Sequence, residues 1–286
     1  MMISDIYKKG KRSLSFEIFP PKKDSELKNI DETLSVLCEL NPDFISVTFG
    51  AGGSSNCNRT IELAKKIKYK YQVEPVVHLT CLCYSKSEID EFSDILKKEG
   101  IQNVLALRGD KNPDIQEKED FKHASDLIEY LRKKESFCIA GACYPECHPE
   151  SKNRVSEMKY LRKKVDSGAE VLLSQLFFDN DYFFRFVEDC RIAGIEVPVI
   201  PGVMPVINAA QIKRMVTMCG ASFPERFQKI IHRYENNKEA LFDAGMSYAL
   251  SQIIDLLSSD IEGIHLYTMN NPAVARKICE GIRNVI

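Results

Sequence analysis

The stretch SLSFEIFPPK, residues 13–22, shows the unit from which the rest of the chain is built. Leucine, isoleucine and phenylalanine supply apolar bulk and a double proline ends the run, so we predict a strand over residues 13–19. One residue does not fit an apolar strand. Glu17 puts a carboxylate inside it, which is costly to bury unless another group pairs with that charge or uses it.

Seven further apolar runs follow, and amphipathic, charge-rich segments separate them. Near-continuous apolar runs of this length are typical of parallel strands that helices cover. The intervening segments carry apolar residues at helical spacing, first over residues 24–40, and residues 224–259 predict two helices rather than one. The eight predicted strands cover residues 13–19, 43–49, 75–81, 103–108, 138–144, 171–178, 198–204 and 264–269.

Eight strand–helix units in 286 residues fit one (β/α)8 TIM barrel, an α/β fold of about 250 residues. A doubly wound sheet would carry a glycine-rich phosphate turn after its first strand, where this chain has PPKKDSE. The segment GAGGSSN, residues 50–56, matches neither dinucleotide-binding nor P-loop patterns, and we interpret it as a turn in which Ser54 or Ser55 caps the next helix. No linker divides the sequence, so we expect a single domain over residues 1–286.

The composition of the chain indicates which binding partners and which cellular compartment we expect. The formal net charge is −2, which gives no indication of nucleic acid or an anionic membrane as a partner. The first residues lack the apolar stretch of a signal peptide, and no window approaches the ~18 apolar residues of a membrane helix. Ten cysteines are scattered without zinc-site spacing. We therefore expect a cytoplasmic protein with reduced thiols.

Polar side chains recur where the predicted strands end, which is where TIM barrels carry their chemistry. Each of these residues also has a purely structural explanation. In that explanation, Glu17 would pair with a lysine or arginine inside the barrel, and Arg108 would pair with Asp110. His78 alone is more often a hydrogen-bonded core histidine. Taken together, however, polar residues on successive strand ends indicate a site. These residues are Glu17, Thr48, His78, Thr80, Arg108, Asp110, Tyr144 and Gln175.

The same set restricts the chemistry. No histidine pair or carboxylate cluster has metal-ligand spacing, and no serine nucleophile elbow appears. One acid, a second carboxylate beside an arginine, hydrogen-bonding side chains and aromatic residues remain. This set suits an organic cofactor that supplies the difficult step while the protein supplies orientation and protons.

Eight motifs now show a resemblance that covers the chain from the first strand to the last. In order they are SFEIFPPK, FISVTFGAGGS, VVHLTC, NVLALRGD, YPECHPES, KVDSGAEVLLSQLFFD, IPGVMPV and HLYTMNNP. The sequence resembles the methylenetetrahydrofolate reductase family. That resemblance implies a TIM barrel holding FAD, which NADH or NADPH reduces before 5,10-methylenetetrahydrofolate is reduced to 5-methyltetrahydrofolate. It leaves open whether the chain forms a homo-oligomer or takes electrons from a partner subunit.

The resemblance also implies roles for individual residues. Glu17 matches the general acid that protonates folate N10, and Asp110 matches a second carboxylate that favours the cationic iminium and tunes the flavin. Gln175 and Gln211 match folate-binding positions. The residues that match FAD-binding positions are Thr48, Phe49, Ala51, His78, Arg108, Gly109, Asp110, Ala124, Tyr144, His148, Ser151, Glu157 and Lys164.

Five positions depart from the family's pattern, and none removes a catalytic group. They are His123, Tyr160, Lys163, Met215 and Asn271. We expect them to affect nicotinamide preference or affinity for the folate tail. Two other functions fit parts of the pattern: a folate-binding barrel subunit of a methyl-transfer complex, and a different flavin barrel resembling proline dehydrogenase. The presence of Glu17, Asp110 and Gln175 favours the reductase, because binding alone needs no acid.

Overall fold

The computed structural model describes residues 1–8, 10–21, 27–49, 54–111, 116–134, 136–208 and 219–286. Every strand pairing within them is parallel. The strands are β1 Ser13–Ile18, β2 Phe44–Val47, β3 Glu74–Thr80, β4 Asn103–Leu107, β5 Cys138–Cys143, β6 Val171–Ser174, β7 Val199–Ile200, β8 Gly202–Val203 and β9 Gly263–Tyr267.

The sheet closes through the segment predicted as the seventh strand. Its order is β7-β6-β5-β4-β3-β2-β1-β9-β8, so the two ends of the sheet are β7 and β8, which only Pro201 separates. Proline has no N–H to give to a ladder, but its carbonyl accepts a hydrogen bond from the His265 N–H at 2.9 Å. The predicted TIM barrel is confirmed.

Helices separate the successive strands from β1 to β7, and β8 from β9, as the amphipathic segments predict. The two helices expected between residues 224 and 259 are present, and the helix expected over residues 209–220 lies largely outside the described residues. Helix α3 begins at Ser54, but the side chains of Ser54 and Ser55 are not among those described. The helices are α1 Ser4–Tyr7, α2 Leu27–Glu39, α3 Ser54–Lys65 with a π-helical turn at Lys66–Lys70, α4 Lys86–Lys98, α5 Ala124–Arg132, α6 Arg154–Asp166, α7 Asn180–Ile192, α8 Glu225–Tyr234, α9 Lys238–Leu257 and α10 Pro272–Ile282.

Side-chain alternation along β1 explains its mixed composition. Successive residues of a strand point to opposite faces. Leu14, Phe16 and Ile18 pack outside the barrel in the cluster that includes the apolar face of α2. Ser15 and Glu17 point inward, where they meet residues of β3 and β9.

The lower part of the barrel interior is apolar and tightly filled. Ile3 and Ile6, before and within α1, close its N-terminal end. Burying a side chain of this size contributes about 1.5–3 kcal/mol, so this layer anchors the ends of the strands that carry the site. Its other buried members are Phe44, Val76, Leu105, Cys138, Ala140, Val171, Leu173 and Ile200.

Three strands end two or more residues earlier than predicted. β2 ends at Val47 rather than residue 49, β6 at Ser174 rather than residue 178, and β9 at Tyr267 rather than residue 269. Thr48 and Phe49 therefore lie in the loops around the C-terminal end of the barrel. Within the described ranges, no helix has both the length and the apolar character that a bilayer crossing needs.

Candidate active site

A cavity of about 760 Å³ opens at the C-terminal end of the barrel. This volume is within the range of ~300–1,000 Å³ that small-molecule sites occupy. Eleven of the residues singled out from the sequence line it, although they come from strands spread over much of the chain. They are Glu17, Thr48, Phe49, His78, Thr80, Arg108, Gly109, Asp110, Tyr144, His148 and Gln175.

Within the part of the chain that the structure describes, Glu17 lies between two histidines and forms no ion pair with a lysine or arginine. Its Oε2 is 3.4 Å from Nε2 of His78 on β3 and 3.8 Å from Nε2 of His265 on β9. The Glu17 side chain is 21% exposed, so one side of the carboxyl group still faces the cavity. Burial lowers the pKa of His78, with the Glu17 charge opposing that shift. The Nε2 atom of His78 has no hydrogen-bond partner among the described residues.

His265 is a residue of the site that the sequence analysis missed. It is completely buried, and it stacks against Phe44 with ring centroids 5.8 Å apart. Its Nδ1 atom is 2.8 Å from the hydroxyl oxygen of Ser15, and its Nε2 is 3.3 Å from that of Ser46. The available signal was alternation, since His265 and Tyr267 share the inward face of β9, just as Ser15 and Glu17 do on β1.

Tyr267 closes the site on the β6 side. Its hydroxyl donates to the Ser174 carbonyl at 2.6 Å, and the Ser174 hydroxyl accepts from the Gly202 N–H at 2.9 Å. Burial, with the nearby Glu17 charge, raises the pKa of Tyr267 well above its usual value. Tyr267 is therefore a neutral hydrogen-bond donor at ordinary pH, and it ties β9 to β6 at the edge of the cavity.

Arg108 pairs with Glu150 and not with its sequence neighbour Asp110. Two parallel hydrogen bonds of 2.6 and 2.8 Å join the guanidinium to the Glu150 carboxylate. The guanidinium lowers the pKa of Glu150 to about 2. Gly109 adopts φ +89°, a backbone conformation that favours glycine, and a Cβ there would lie 3.1 Å from Thr80. This tight turn directs Arg108 and Asp110 to the cavity.

Behind the cavity wall, a connected group of polar residues holds the loop after β5. Glu157 on α6 is buried and accepts hydrogen bonds from the His148 N–H at 3.2 Å and from the Ser151 hydroxyl at 2.5 Å. Lys164 donates to a backbone carbonyl of β5 at 2.8 Å and lies 5.8 Å from the ring centroid of Tyr144. Burial lowers the pKa of Lys164 and raises that of Tyr144 to about 12.

The remaining predicted site residues occupy different places. Gln175 lines the cavity, and its side-chain oxygen accepts from the next residue's N–H at 2.8 Å. Ala124 is buried at the start of α5 and does not line the cavity. Ala51 and Gln211 lie outside the described residues.

The positions that depart from the family's pattern lie mostly away from the cavity. Asn271 is the N-cap of α10, where its side-chain oxygen accepts from two backbone N–H groups at 3.1 and 3.3 Å. Lys163 forms an ion pair with Asp126 at 3.6 Å, and Tyr160 is 56% exposed. His123 is exposed at the start of α5. Met215 lies outside the described residues.

The chemistry of the cavity is that of a site for an organic molecule. In the part of the chain that the structure describes, no three histidine, cysteine or carboxylate side chains are arranged to hold a metal ion. The cavity instead offers hydrogen-bonding groups, charges of both signs and stacking surfaces. They come from a carboxyl group with histidine neighbours, a second acidic residue, an arginine and aromatic walls.

Comparisons with known proteins show which family the sequence matches. The family model described as methylenetetrahydrofolate reductase matches residues 2–283. The chain is 36% identical over 283 residues to methylenetetrahydrofolate reductase (NADH) 1 of Arabidopsis thaliana, covering 94% of this chain and 48% of that protein. It is 33% identical over 276 residues to the 5,10-methylenetetrahydrofolate reductase of Escherichia coli K12, covering 96% and 92%. The chain thus spans about half the length of the plant relatives and most of the length of the bacterial ones.

Solved structures show the same fold at low sequence identity. A Clostridium thermocellum protein described as binding two copies of 5-methyl-5,6,7,8-tetrahydrofolic acid superimposes with a TM-score of 0.67 at 12% identity, covering 98% of this chain and 99% of that one. Tryptophan synthase of Mycobacterium tuberculosis, in a ligand-free form, gives 0.56 at 11% identity, covering 99% and 100%. At these identities the likeness is one of fold.

Proposed function

The chain belongs to the methylenetetrahydrofolate reductase family, and from this premise we propose that it reduces 5,10-methylenetetrahydrofolate to 5-methyltetrahydrofolate. The observation that carries the proposal is the Glu17 carboxyl group, which faces the cavity while two histidine nitrogens lie within 3.8 Å of it. The reaction needs a proton donor, and a protein that only bound folate would gain nothing from holding a carboxyl group in such surroundings.

The residues around the cavity fit FAD as the cofactor. Its volume suits part of a large ligand, and the unpartnered Nε2 atom of His78 offers a polar contact to a planar ring system. Arg108 presents a planar cation that suits a diphosphate, and Phe49 and Tyr144 provide aromatic surfaces. FAD, when bound and reduced, supplies the hydride. The lining residues that would hold it are Thr48, Phe49, His78, Arg108, Gly109, Asp110, Tyr144 and His148.

Ala124, Ser151, Glu157 and Lys164 belong to a second, supporting layer in this proposal. Glu157 fixes the loop that carries His148 by accepting a hydrogen bond from its backbone N–H and another from Ser151. Side chains that bind a ligand keep their geometry only when neighbouring groups hold them. We therefore expect changes at Glu157 to weaken cofactor binding through the position of the loop.

Glu17 acts as the general acid in this proposal. The methylene carbon of the substrate does not react with hydride while it is bonded to both folate nitrogens. A proton on N10 breaks the bond between N10 and that carbon and leaves a cationic iminium, to which hydride adds to give the methyl group. Asp110 lines the same cavity and, as a carboxylate, favours the cation electrostatically. Gln175 offers an amide to the substrate's polar ring.

The reductant follows from the relatives' names. The plant relatives are named for NADH, so we propose NADH first. NADPH and an electron-donating partner subunit are the alternatives to compare. A ping-pong order, in which the nicotinamide leaves before folate binds, follows from one cavity having to serve both substrates.

An anaerobic half-reaction tests the proposal. The purified protein is loaded with FAD, reduced with NADH, and mixed with 5,10-methylenetetrahydrofolate while the visible absorbance of the flavin is followed. We expect rapid reoxidation in the wild type, a loss of at least about 100-fold in Glu17→Gln, and no loss in Glu129→Gln, a matched change at an exposed glutamate of α5.

Three outcomes would contradict parts of the proposal. Reoxidation of Glu17→Gln at the wild-type rate would remove Glu17 from the proton step. A protein that binds FAD but is not reoxidised by folate would not be this reductase. A protein that binds methyltetrahydrofolate but no flavin would instead be a folate-binding subunit.

A further inference from the structure

We propose, resting on the proposed function, that the Glu150 carboxylate competes with the diphosphate of FAD for the Arg108 guanidinium. Glu150 lies in the loop after β5 and pairs with Arg108 from the loop after β4. FAD that uses Arg108 has to separate this pair. Glu150 is thus an internal competitor that lowers the affinity for the cofactor, and it takes no part in the proton step or in folate binding.

The Glu150 carboxylate fills one edge of the guanidinium. An arginine side chain has five N–H groups to donate. Nη1 and Nη2 of Arg108 each donate to Glu150, at 2.6 and 2.8 Å, and Nε donates to the Gly109 carbonyl at 3.2 Å. The edge between Nη1 and Nη2 is therefore taken, and the edge between Nε and Nη2 has one hydrogen left. A diphosphate cannot form a two-bond contact of the same kind while Glu150 holds the first edge.

The positive charge that Glu150 neutralises has no substitute on the cavity wall. Arg108 is the only lysine or arginine among the described residues that line the cavity. Burial and the Arg108 charge lower the pKa of His148, which makes this histidine neutral at ordinary pH. Glu150 itself is ionised, because its pKa is about 2. An anionic diphosphate therefore depends on the one charge that Glu150 cancels, in a cavity whose acidic lining residues are Glu17, Glu88, Glu91 and Asp110.

Glu150 is the partner that can move away. Its side chain is 55% exposed, whereas that of Arg108 is 23% exposed and lines the cavity. The Glu150 N–H donates to Nδ1 of His148 at 3.1 Å, so the side chain can rotate into solvent while this hydrogen bond holds the main chain in place. Separating an ion pair as exposed as this one costs little free energy. The competition therefore weakens FAD binding without preventing it.

Titrations followed by flavin fluorescence test the competition without any turnover. We expect Glu150→Gln to bind FAD about two- to fivefold more tightly than the wild type, which is the equilibrium effect of losing one exposed ion pair. Glu150→Ala, which removes the acceptor oxygens, should gain at least as much. Glu39→Gln is the matched control, at an exposed glutamate of α2 whose carboxylate lies 3.7 Å from Arg276, and it should bind FAD like the wild type.

Two further readouts separate competition from a general effect on the loop. Riboflavin has no diphosphate, so the wild type and Glu150→Gln should bind it equally. In the wild type, FAD binding exchanges one ion pair of Arg108 for another, whereas in Glu150→Gln it only forms one. The affinity of the variant for FAD should therefore fall more steeply with salt, and the two proteins should converge near 1 M salt, where charges are screened within about 3 Å.

The outcomes distinguish a failure of the competition from a failure of the proposed function. If the wild type binds no FAD, the proposed cofactor is wrong. If the wild type binds FAD and Glu150→Gln and Glu150→Ala bind it equally or more weakly, Glu150 does not compete with the diphosphate, and weaker binding would make it a support for Arg108. A gain in affinity that riboflavin shares would also overturn the proposal, because the effect would not depend on the diphosphate.

Discussion

Replacing Gly202 by alanine tests whether the barrel closes through β8 as tightly as the structure describes. A Cβ on Gly202 would lie 2.4 Å from the carbonyl oxygen of Ser174 and 2.6 Å from Cε2 of Tyr267. Neither neighbour is free to move away. The Tyr267 hydroxyl donates to that same carbonyl at 2.6 Å, and the Ser174 hydroxyl accepts from the Gly202 N–H.

The expected cost follows from this overlap. Forcing an extra methyl group into a filled interior typically destabilises a protein by about 1–3 kcal/mol. For a chain of 286 residues, that lowers the thermal midpoint by about 2–5 °C. Because Tyr267 lines the cavity, the same change should also weaken FAD binding.

Gly141 provides a matched control within the same sheet. A Cβ on Gly141 would lie 3.4 Å from a Leu172 methyl group, which is an ordinary contact. Alanine there also restricts the unfolded chain, which stabilises by about 0.4–1 kcal/mol where the site accepts it. Gly141→Ala should therefore melt at or slightly above the wild-type temperature. Thermal unfolding followed by circular dichroism gives the midpoint of each variant. If Gly202→Ala and Gly141→Ala have the same midpoint, the described closure at β8 is wrong.

Three further predictions use other contacts. Burial lowers the pKa of His78, so as pH falls below about 6.5 this histidine is protonated in the unfolded chain before it is protonated in the folded one. The free energy of unfolding should therefore decline by up to about 1.4 kcal/mol per pH unit below that pH. Denaturant titrations at several pH values should show a shallower decline in His78→Gln. Asn271→Ala should cost about 1 kcal/mol by removing the cap of α10, whereas Asn271→Asp should melt near the wild type; equal melting of the two variants would contradict the capping role. Arg108→Lys should weaken FAD binding about tenfold, because lysine lacks the planar fork for a diphosphate, while Arg132→Lys, at an exposed arginine of α5, should leave an FAD titration of the apoprotein unchanged.

The fold was predictable because each strand carries its own signal. Continuous apolar runs between amphipathic segments are local patterns, and eight of them in this length indicate a parallel barrel. Even the division of the seventh strand has a local cause, Pro201. Exact strand ends were not predictable. The apolar run after Val171 continues to Phe178, although β6 stops at Ser174. Beyond it, Leu176 and Phe178 pack in a separate cluster with α8.

The sequence allowed us to predict which residues line the candidate site, but not which of them contact each other. The sequence placed Glu17, His78 and Arg108 at one end of the barrel, and all three line the cavity. Their partners depend on strand register and loop course, which leave no local signal. Arg108 therefore pairs with Glu150 from another loop, and Glu17 meets His265, a residue from the opposite end of the sequence.

A two-residue step along the inward faces of β2 and β3 connects stability to function in this barrel. On β2, the buried Phe44 is followed inward by Ser46, and on β3, Val76 is followed by His78. The lower member of each pair belongs to the apolar layer, while the upper member contacts Glu17 or His265. Because the period of a strand is two, a change of register by one residue would move both members to the helix side at once. The packing that holds the register is therefore also what brings an acid from the first strand against a histidine from the last.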